Sequence, residues 1–427
     1  MKEEFLHFLW QFQQFDKQLL QTTEGVTLQV IQIGRLNRDA GPDFLDARLL
    51  IGNLEWVGSV EVHLRSSDWN THTHQSDAAY GNVILHLVWE HDKEILRHDH
   101  TQIPTLSLKK IANLSLLNTY QELLESKSMI PCKGAFEEVD SLKKVMMLDK
   151  ALMKRFEQKG SQILVRFREN QEDWEETAYQ TIAQNFGFKI NADPFLSLAQ
   201  RLPLKVLQKH RNSLLQIEAM VFGVAGFLEQ DSPDEYHANL KQEYAFLAAK
   251  YQLKTKQLGL HEWKFLRLRP ANFPTIRLAQ FAKLVQENAN LFSLFFNLEN
   301  LESFAQLLRL SPSDYWQKHY VFGKEVAGKV ATMGATSVEN IVINTVVPLM
   351  VAQAIYRDNH EHTERAIQLL EKIAPESNTI VDDWKTMGLK IKNAFDSQAS
   401  IEWYKHYCMP KKCLQCDVGL AIIRGRK

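Results

Sequence analysis

The sequence predicts an α+β protein: a mixed α/β domain over residues 1–110, then a large, mostly α-helical region over 111–427 ending in a cysteine cluster. Three observations carry this. Up to about residue 110, one amphipathic helix is followed by short segments of period-two alternation. Beyond it the apolar residues recur at helical spacing, punctuated by Pro270, Pro274, Pro312, Pro348 and Pro375. The chain has 427 residues, 45% of them hydrophobic and 24% charged, enough for two or three domains with buried cores.

The elements follow in order. Phe5, Phe8, Leu9, Phe12, Phe15 and Leu19 step by three and four, predicting a helix over 2–20 that Thr22-Thr23-Glu24-Gly25 ends. Val26–Ile33 alternates as a strand, and residues 35–42 form a polar turn closing on Gly41-Pro42. Phe44–Ile51 and Leu54–Leu64 are strands joined by Gly52-Asn53, a hairpin turn pair. Val60, Val62 and Leu64 share one face, so Glu61 and His63 share the other. Residues 66–81 form a polar connection, Val83–Trp89 has the continuous apolar character of a central strand, and Thr105–Leu108 is a short closing strand. Helices are expected over 113–125, 141–158, 173–186, 194–230, 236–251, 276–309, 338–357, 361–374 and 380–396. No repeat of fixed period is present.

Fifty Lys plus Arg against 51 Asp plus Glu give a net charge of -1, so bulk charge does not advertise a nucleic-acid partner. The acidic, interrupted N-terminus is no signal peptide, and no run of eighteen apolar residues suggests a membrane span or partner. Four cysteines are too few for a secreted disulfide framework, so the cytoplasm is the expected location. The pattern fixes no oligomeric state.

The densest chemistry lies between Asp43 and His86. Asp43 opens a strand directly after Gly41-Pro42, and Glu61 and His63 share a face of the next. If the two strands pair as a hairpin, two carboxylates and an imidazole converge at one end of the sheet. Such a set suits Mg²⁺ or Mn²⁺, with His63 orienting a water, taking its proton or acting as a ligand. The plainer reading is a Pro-Asp turn beside a solvated strand face.

This order resembles the core of the PD-(D/E)XK nuclease superfamily over roughly the first 90 residues. Pro42-Asp43 matches the dipeptide, and Glu61-Val62-His63 matches the acid-x-lysine element, with His63 where the family carries lysine. The resemblance implies a restriction-endonuclease-like core, catalytic roles for Asp43, Glu61 and His63, and an acid from the preceding helix, Glu3 or Glu4. Nucleic acid, DNA or RNA, would then be the partner.

Seven of the 15 histidines fall between His63 and His100. Asp68, Trp69, His72, His74, Asp77 and Tyr80 are read together as a substrate-binding rim over the site. His72 and His74 with Asp77 or His63 could alternatively hold a transition metal. Singly, His72 and His74 read as loop surface, and His86 as a satisfied core residue.

Cys408, Cys413 and Cys416 are spaced Cys-x4-Cys-x2-Cys, and Cys132 would complete four thiolates if it returned in space. Zn²⁺ and a [4Fe–4S] cluster both fit that set, with His406 the alternative fourth ligand. Free thiols near a disordered end, or a redox pair, are the plainer readings. In the helical region, Lys264, Arg267, Arg269 and Arg277 interleave with Trp263, Phe265, Phe273 and Pro274, with Arg267 and Arg269 as the phosphate- and base-contacting candidates; buried structural arginines are the alternative. The basic tail, residues 424–427, reads as solvated.

Over its whole length the chain also resembles an uncharacterised bacterial domain-of-unknown-function family, through Gly41-Pro42-Asp43-Phe44, the block from Glu61 to His86, residues 269–274 and the final cysteines. The functional expectation is a metal-dependent nuclease. Its alternatives are a non-catalytic nucleic-acid-binding or scaffold protein, and a His-rich metal hydrolase of a small molecule.

Overall fold

The computed structural model describes residues 1–427 except Arg38, Gln230, Asp231, Pro233, Leu298, Glu299, Arg426 and Lys427, and except the side chain of Leu19. Of the sequence expectations, Arg38 in the turn, Gln230 ending 194–230, Leu298 and Glu299 inside 276–309, and two residues of the basic tail therefore lie outside the described residues.

The fold is α+β, with a mixed sheet near the N-terminus and a large helical part. It divides into two compact units. The first comprises Met1–Leu148, Asp383–Leu389 and Trp403–Lys427; the second comprises Asp149–Asp382 and Lys390–Glu402. The boundary near residue 110 thus marks a change of secondary structure and not the end of a unit. The following helix, and the cysteines assigned to the helical region, belong with the sheet. Sequence period reports local structure only, whereas units are defined by non-local contacts.

In the first unit, α1 (Glu3–Gln11) is shorter than expected. Gln13 takes a left-handed conformation (φ 48°), which an α-helix cannot continue through. The sheet contains β1 (Leu28–Gln32), β2 (Arg35–Leu36), β3 (Phe44–Ile51) and β4 (Leu54–Arg65). After the short helix α2 (Asp68–Thr71) come β5 (Val83–Glu90) and β6 (Thr105–Ser107). Its order is β1-β3-β4-β5-β6, with β2 paired to β3. β2 lies within the segment read as a polar turn. β3 and β4 form the expected antiparallel hairpin, closing on Ile51 opposite Leu54. β4 then runs parallel to β5, and β5 parallel to β6. β4 is long because it serves two partners: its first half pairs with β3 and its second half with β5. α1 packs against β4 and β5 and buries Phe5, Leu6, Phe8, Leu9 and Trp10. α3 (Leu114–Glu125) starts at Asn113, whose side chain accepts the Ser115 amide.

α4 (Ser141–Glu169) runs well past its expected end. Three expected long helices are broken for local reasons. The 194–230 segment is three helices, Ala192–Arg201, Leu204–Gln208 and Leu214–Val224, separated at Pro203 and at the cap Ser213. The 276–309 segment is Pro274–Glu287, Leu291–Asn297 and Leu301–Leu308, the last capped by Asn300. The 380–396 segment becomes Thr379–Thr386 and Ala394–Trp403; between them Gly388 takes φ 84°, a helix-ending conformation that favours glycine. A hairpin of His319–Val321 and Lys324–Glu325 is too short to read from alternation.

The helical stretch Ala335–Arg357 is long and apolar enough to cross a membrane, but 78% of its most apolar window is buried, as in a core helix. Phe281 meets Tyr179, Phe186 and Phe195 at the centre of this unit. Arg277 is buried among Asn272, Gln280 and Ser337, with its guanidinium over the Phe188 ring. It is a packing residue.

Glu218 is a buried carboxyl of the second unit with an incomplete set of partners. It is fully buried on the Leu214–Val224 helix and accepts hydrogen bonds from Tyr236 and Ser313, while its Oε1 has no partner. Burial pushes its carboxyl up to about 7, against the hydrogen bonds from Tyr236 and Ser313. The folded chain therefore holds this proton more tightly than the unfolded chain does. Its contribution is complete below the unfolded value of 4.5 and is lost as pH rises towards 7. Glu218→Gln is expected to remove up to about 3 kcal/mol of that pH dependence and to raise stability at alkaline pH. Urea unfolding across this range checks it; parallel wild-type and variant pH profiles would sink it.

Candidate functional site

The site begins with the register of the β3–β4 hairpin. Phe44 lies opposite Val60, which sets Asp43 beside the start of the Glu61-Val62-His63 run. Each carboxylate then takes a backbone amide from the other's strand. The Asp43 amide donates to Glu61 Oε2 at 3.2 Å, and the Val62 amide donates to Asp43 Oδ2 at 3.0 Å. Both side chains are thereby held on a strand end instead of a mobile loop.

α1 adds two residues one turn apart, Glu3 and His7, on one helix face. His7 Nε2 lies 3.3 Å from Asp43 Oδ2. Burial, and then the Asp43 charge, raise the Glu3 carboxyl above its ordinary value. Glu3, and not the exposed Glu4, is the helix acid that joins the cluster.

The connection after β4 brings in the histidines. Its start is fixed by Asp92, which accepts hydrogen bonds from the Ser66 and Ser67 hydroxyls and from the Ser67 amide. Asp68 accepts the Arg65 amide at 2.9 Å and opens α2. His72 ends that helix, and Thr73 turns the chain through a left-handed conformation (φ 61°), so that His74 follows on the same side. His63 Nε2 is 3.1 Å from His72 Nδ1 and 3.6 Å from Glu61 Oε1; His74 Nε2 is 3.4 Å from the same Glu61 oxygen. Ligand atoms of His63, His72 and His74 all lie within 4.8 Å of one another.

Electrostatics makes this arrangement costly in the absence of a cation. Burial and the Asp43 charge push the Glu61 carboxyl up to about 9. Burial, and then His74 and His72, push the His63 imidazole down to about 4. His63 is therefore neutral near pH 7. On its other side, His63 Nδ1 is 2.8 Å from Nε2 of the fully buried His86. With His63 Nδ1 as the donor of that bond, the Nε2 lone pair of neutral His63 faces His72 and Glu61. Such a convergence of lone pairs is satisfied by a proton or by a cation. Neutral imidazoles with a carboxylate suit Mn²⁺, Fe²⁺ or Zn²⁺, and the carboxylates of Asp43 and Glu61 suit Mg²⁺ or Mn²⁺.

Trp69 is buried with Val83, Ile95 and Ile103 beneath the loop, and its ring centroid is 5.4 Å from that of His74. Tyr80 stacks on His74 at 3.8 Å. Trp69, His74, Asp77, Tyr80 and Arg97 line part of a cavity of about 300 Å³. Asp77 spends one oxygen on the Ala79 amide. The structure thus gathers Asp43, Glu61, His63, Asp68, Trp69, His72, His74, Asp77 and Tyr80 around one end of the sheet. Arg267 and Arg269 belong to the second unit. Arg267 takes a left-handed backbone conformation in an exposed turn. Two participants were not assigned to the site from the sequence. His7 carried a legible signal, four residues after Glu3 on one helix face. His86 sat in an apolar strand that reads as plain core.

Asp43→Ala is expected to strand the Val62 amide and destabilise the chelator-treated protein by about 1–2 kcal/mol. Asp43→Asn keeps an acceptor oxygen and is expected to stay near wild type. Denaturant unfolding compares them; equal losses in both would show that the Val62 contact contributes nothing.

Comparison with known proteins adds a family. A family model described as "Protein of unknown function (DUF2851)" matches residues 3–379. No curated protein and no solved structure matches the chain.

Proposed function

The chain belongs to the DUF2851 family, and from the residues gathered at Asp43 we propose that it is a divalent-metal-dependent hydrolase of nucleic-acid phosphodiesters. One observation carries the reading: Asp43 and Glu61 are interlocked through backbone amides while Glu61 Oε1 lies within 3.6 Å of two imidazole nitrogens. A bound divalent ion would supply Lewis-acid charge and a more acidic water. Asp43 and Glu61 would hold it, with His63, His72 or His74 beside them. His63, neutral and oriented by His86, is suited to accept a proton from an attacking water. His86 positions His63 and does not touch substrate. Tyr80, half-buried on the cavity wall and backed by His74, offers an aromatic face for an unstacked base. The cytoplasm is the location that goes with this reading.

The resemblance in order to PD-(D/E)XK nucleases supports the substrate class, with His63 in the lysine's place. The test is cleavage of labelled single- and double-stranded DNA and RNA with Mg²⁺ or Mn²⁺. Wild type is expected to cleave at least one of them. Asp43→Asn and Glu61→Gln are expected to abolish cleavage, and His63→Ala to slow it about 100-fold or more. Failure of folded wild type on every substrate would overturn the proposal and favour a binding or scaffold role.

The histidine trio favours a second reading, a transition-metal hydrolase of a small molecule. It expects one Zn²⁺, Mn²⁺ or Fe²⁺ per chain, with His72→Ala weakening that affinity about tenfold or more. Equilibrium dialysis with elemental analysis measures it, and unchanged affinity in the variant would remove His72 from the site.

A further inference from the structure

The first unit contains a second chemical cluster that the hydrolytic reading does not use. Cys132, Cys408, Cys413 and Cys416 are all free thiols, 5–7% exposed, and all four belong to this unit. They arrive on different local devices. Cys132 sits in the turns between α3 and α4, where its carbonyl accepts the Ala135 amide. Cys408 ends a π-helical turn, Cys413 opens a 3-10 turn, and Cys416 caps the last helix, Asp417–Ile423. Every pair among the four is close enough for one thiolate to disfavour ionisation of the other, as Cys132 and Cys413 both do to Cys408.

The surroundings hold them there. Lys411, between Cys408 and Cys413, donates to the carbonyls of Leu124 and Ser126, which pins the cysteine loop to the end of α3 just before Cys132. A Cβ at position 419 would sit 2.2 Å from the Cys413 carbonyl oxygen, so glycine there lets the last helix close onto the loop. Trp384 packs on Trp403 at 4.4 Å, with Phe136 against both. Trp403 Nε1 is buried without a hydrogen-bond partner at ordinary distance and is turned towards the Cys416 sulfur. A buried donor aimed at sulfur is matched when that sulfur carries negative charge, as a metal-bound thiolate does.

We propose that Cys132, Cys408, Cys413 and Cys416 hold a [4Fe–4S] cluster that ties the C-terminal segment to the α3–α4 connection of the first unit.

The free thiols stand further apart than the ligands of tetrahedral zinc, which favours the cluster. Tetrahedral zinc with Zn–S bonds of about 2.3 Å needs all its sulfurs about 3.8 Å apart. Among the described residues, the three ligand atoms that come within 4.8 Å of one another are those of His63, His72 and His74. No three of the four sulfurs are that close. A cubane presents four separate irons at its corners and takes one thiolate at each, so its thiolates stand further apart.

The experiment is anaerobic purification of the full chain, then iron, zinc and acid-labile sulfide analysis with absorption spectra. The expected result is about four irons and about four sulfides per chain, with broad thiolate-to-iron absorption. Cys132→Ser and Cys408→Ser are expected to lose most of the iron. Wild-type composition decides even if these variants fail to fold. Stoichiometric zinc, or folded wild type with neither iron nor sulfide after reconstitution with ferrous iron and sulfide, would overturn the proposal. So would Cys132→Ser retaining its full iron. None of these readouts depends on nucleic-acid cleavage, so this inference and the proposed activity stand or fall separately.

Discussion

The candidate site depends on a reciprocal pair of hydrogen bonds between β3 and β4. Asp43 gives its amide to the Glu61 carboxylate, and its own carboxylate receives the amide of Val62. Two acids that repel each other are thus fixed by the sheet's own backbone. The arrangement holds only in one register, because a slip of one residue turns Glu61 and His63 to the opposite face. Local irregularity makes room for it. Pairing shifts between Phe44 and Ala47, where Asp46 is left-handed (φ 61°), and again between Ser59 and Val60, where β4 exchanges β3 for β5. β4 changes partner where its side chains begin to form the site.

Around that pair the molecule concentrates groups that oppose one another. Burial, then Asp43 and Glu3, raise the Glu61 carboxyl, and burial, then His74 and His72, lower the His63 imidazole. Folding gains nothing from such an arrangement, and the sheet core and the Asp92-anchored loop offset its cost. Titratable groups driven apart in this way mark sites that bind or react more often than sites that only support. Geometry points the same way, since the same groups share contacts below 4 Å.

Much of this was legible in the chain. Alternation and the Gly52-Asn53 turn specified the β3–β4 hairpin, and the hairpin alone aligned Asp43 with Glu61 and His63. Convergence of the loop histidines was legible only as an excess of imidazoles, since Thr73 and its left-handed turn decide which way His74 faces. His86 was illegible because a histidine inside an apolar strand has the pattern of core. Helix ends were misjudged where a single cap or glycine overrode an apolar stripe, as at Ser213, Asn300 and Gly388. Arg267 and Arg269 belong to the second unit, which their adjacency to aromatics in the sequence does not reveal. The unit boundary was invisible for the same reason: segments from the far end of the chain return to the first unit, where Lys411 binds the Leu124 and Ser126 carbonyls and Trp384 and Trp403 pack on Phe136.

That discontinuity bears on how the protein is made. β1 to β6 emerge from the ribosome early, but the segments Asp383–Leu389 and Trp403–Lys427 belong to the same unit and emerge last. Cys132, Phe136 and the C-terminal face of α3 must therefore wait, uncovered, while the whole second unit is synthesised. A nascent chain in that interval exposes a reduced thiol and apolar surface, a period of vulnerability to oxidation and to chaperone capture that a contiguous domain would not have.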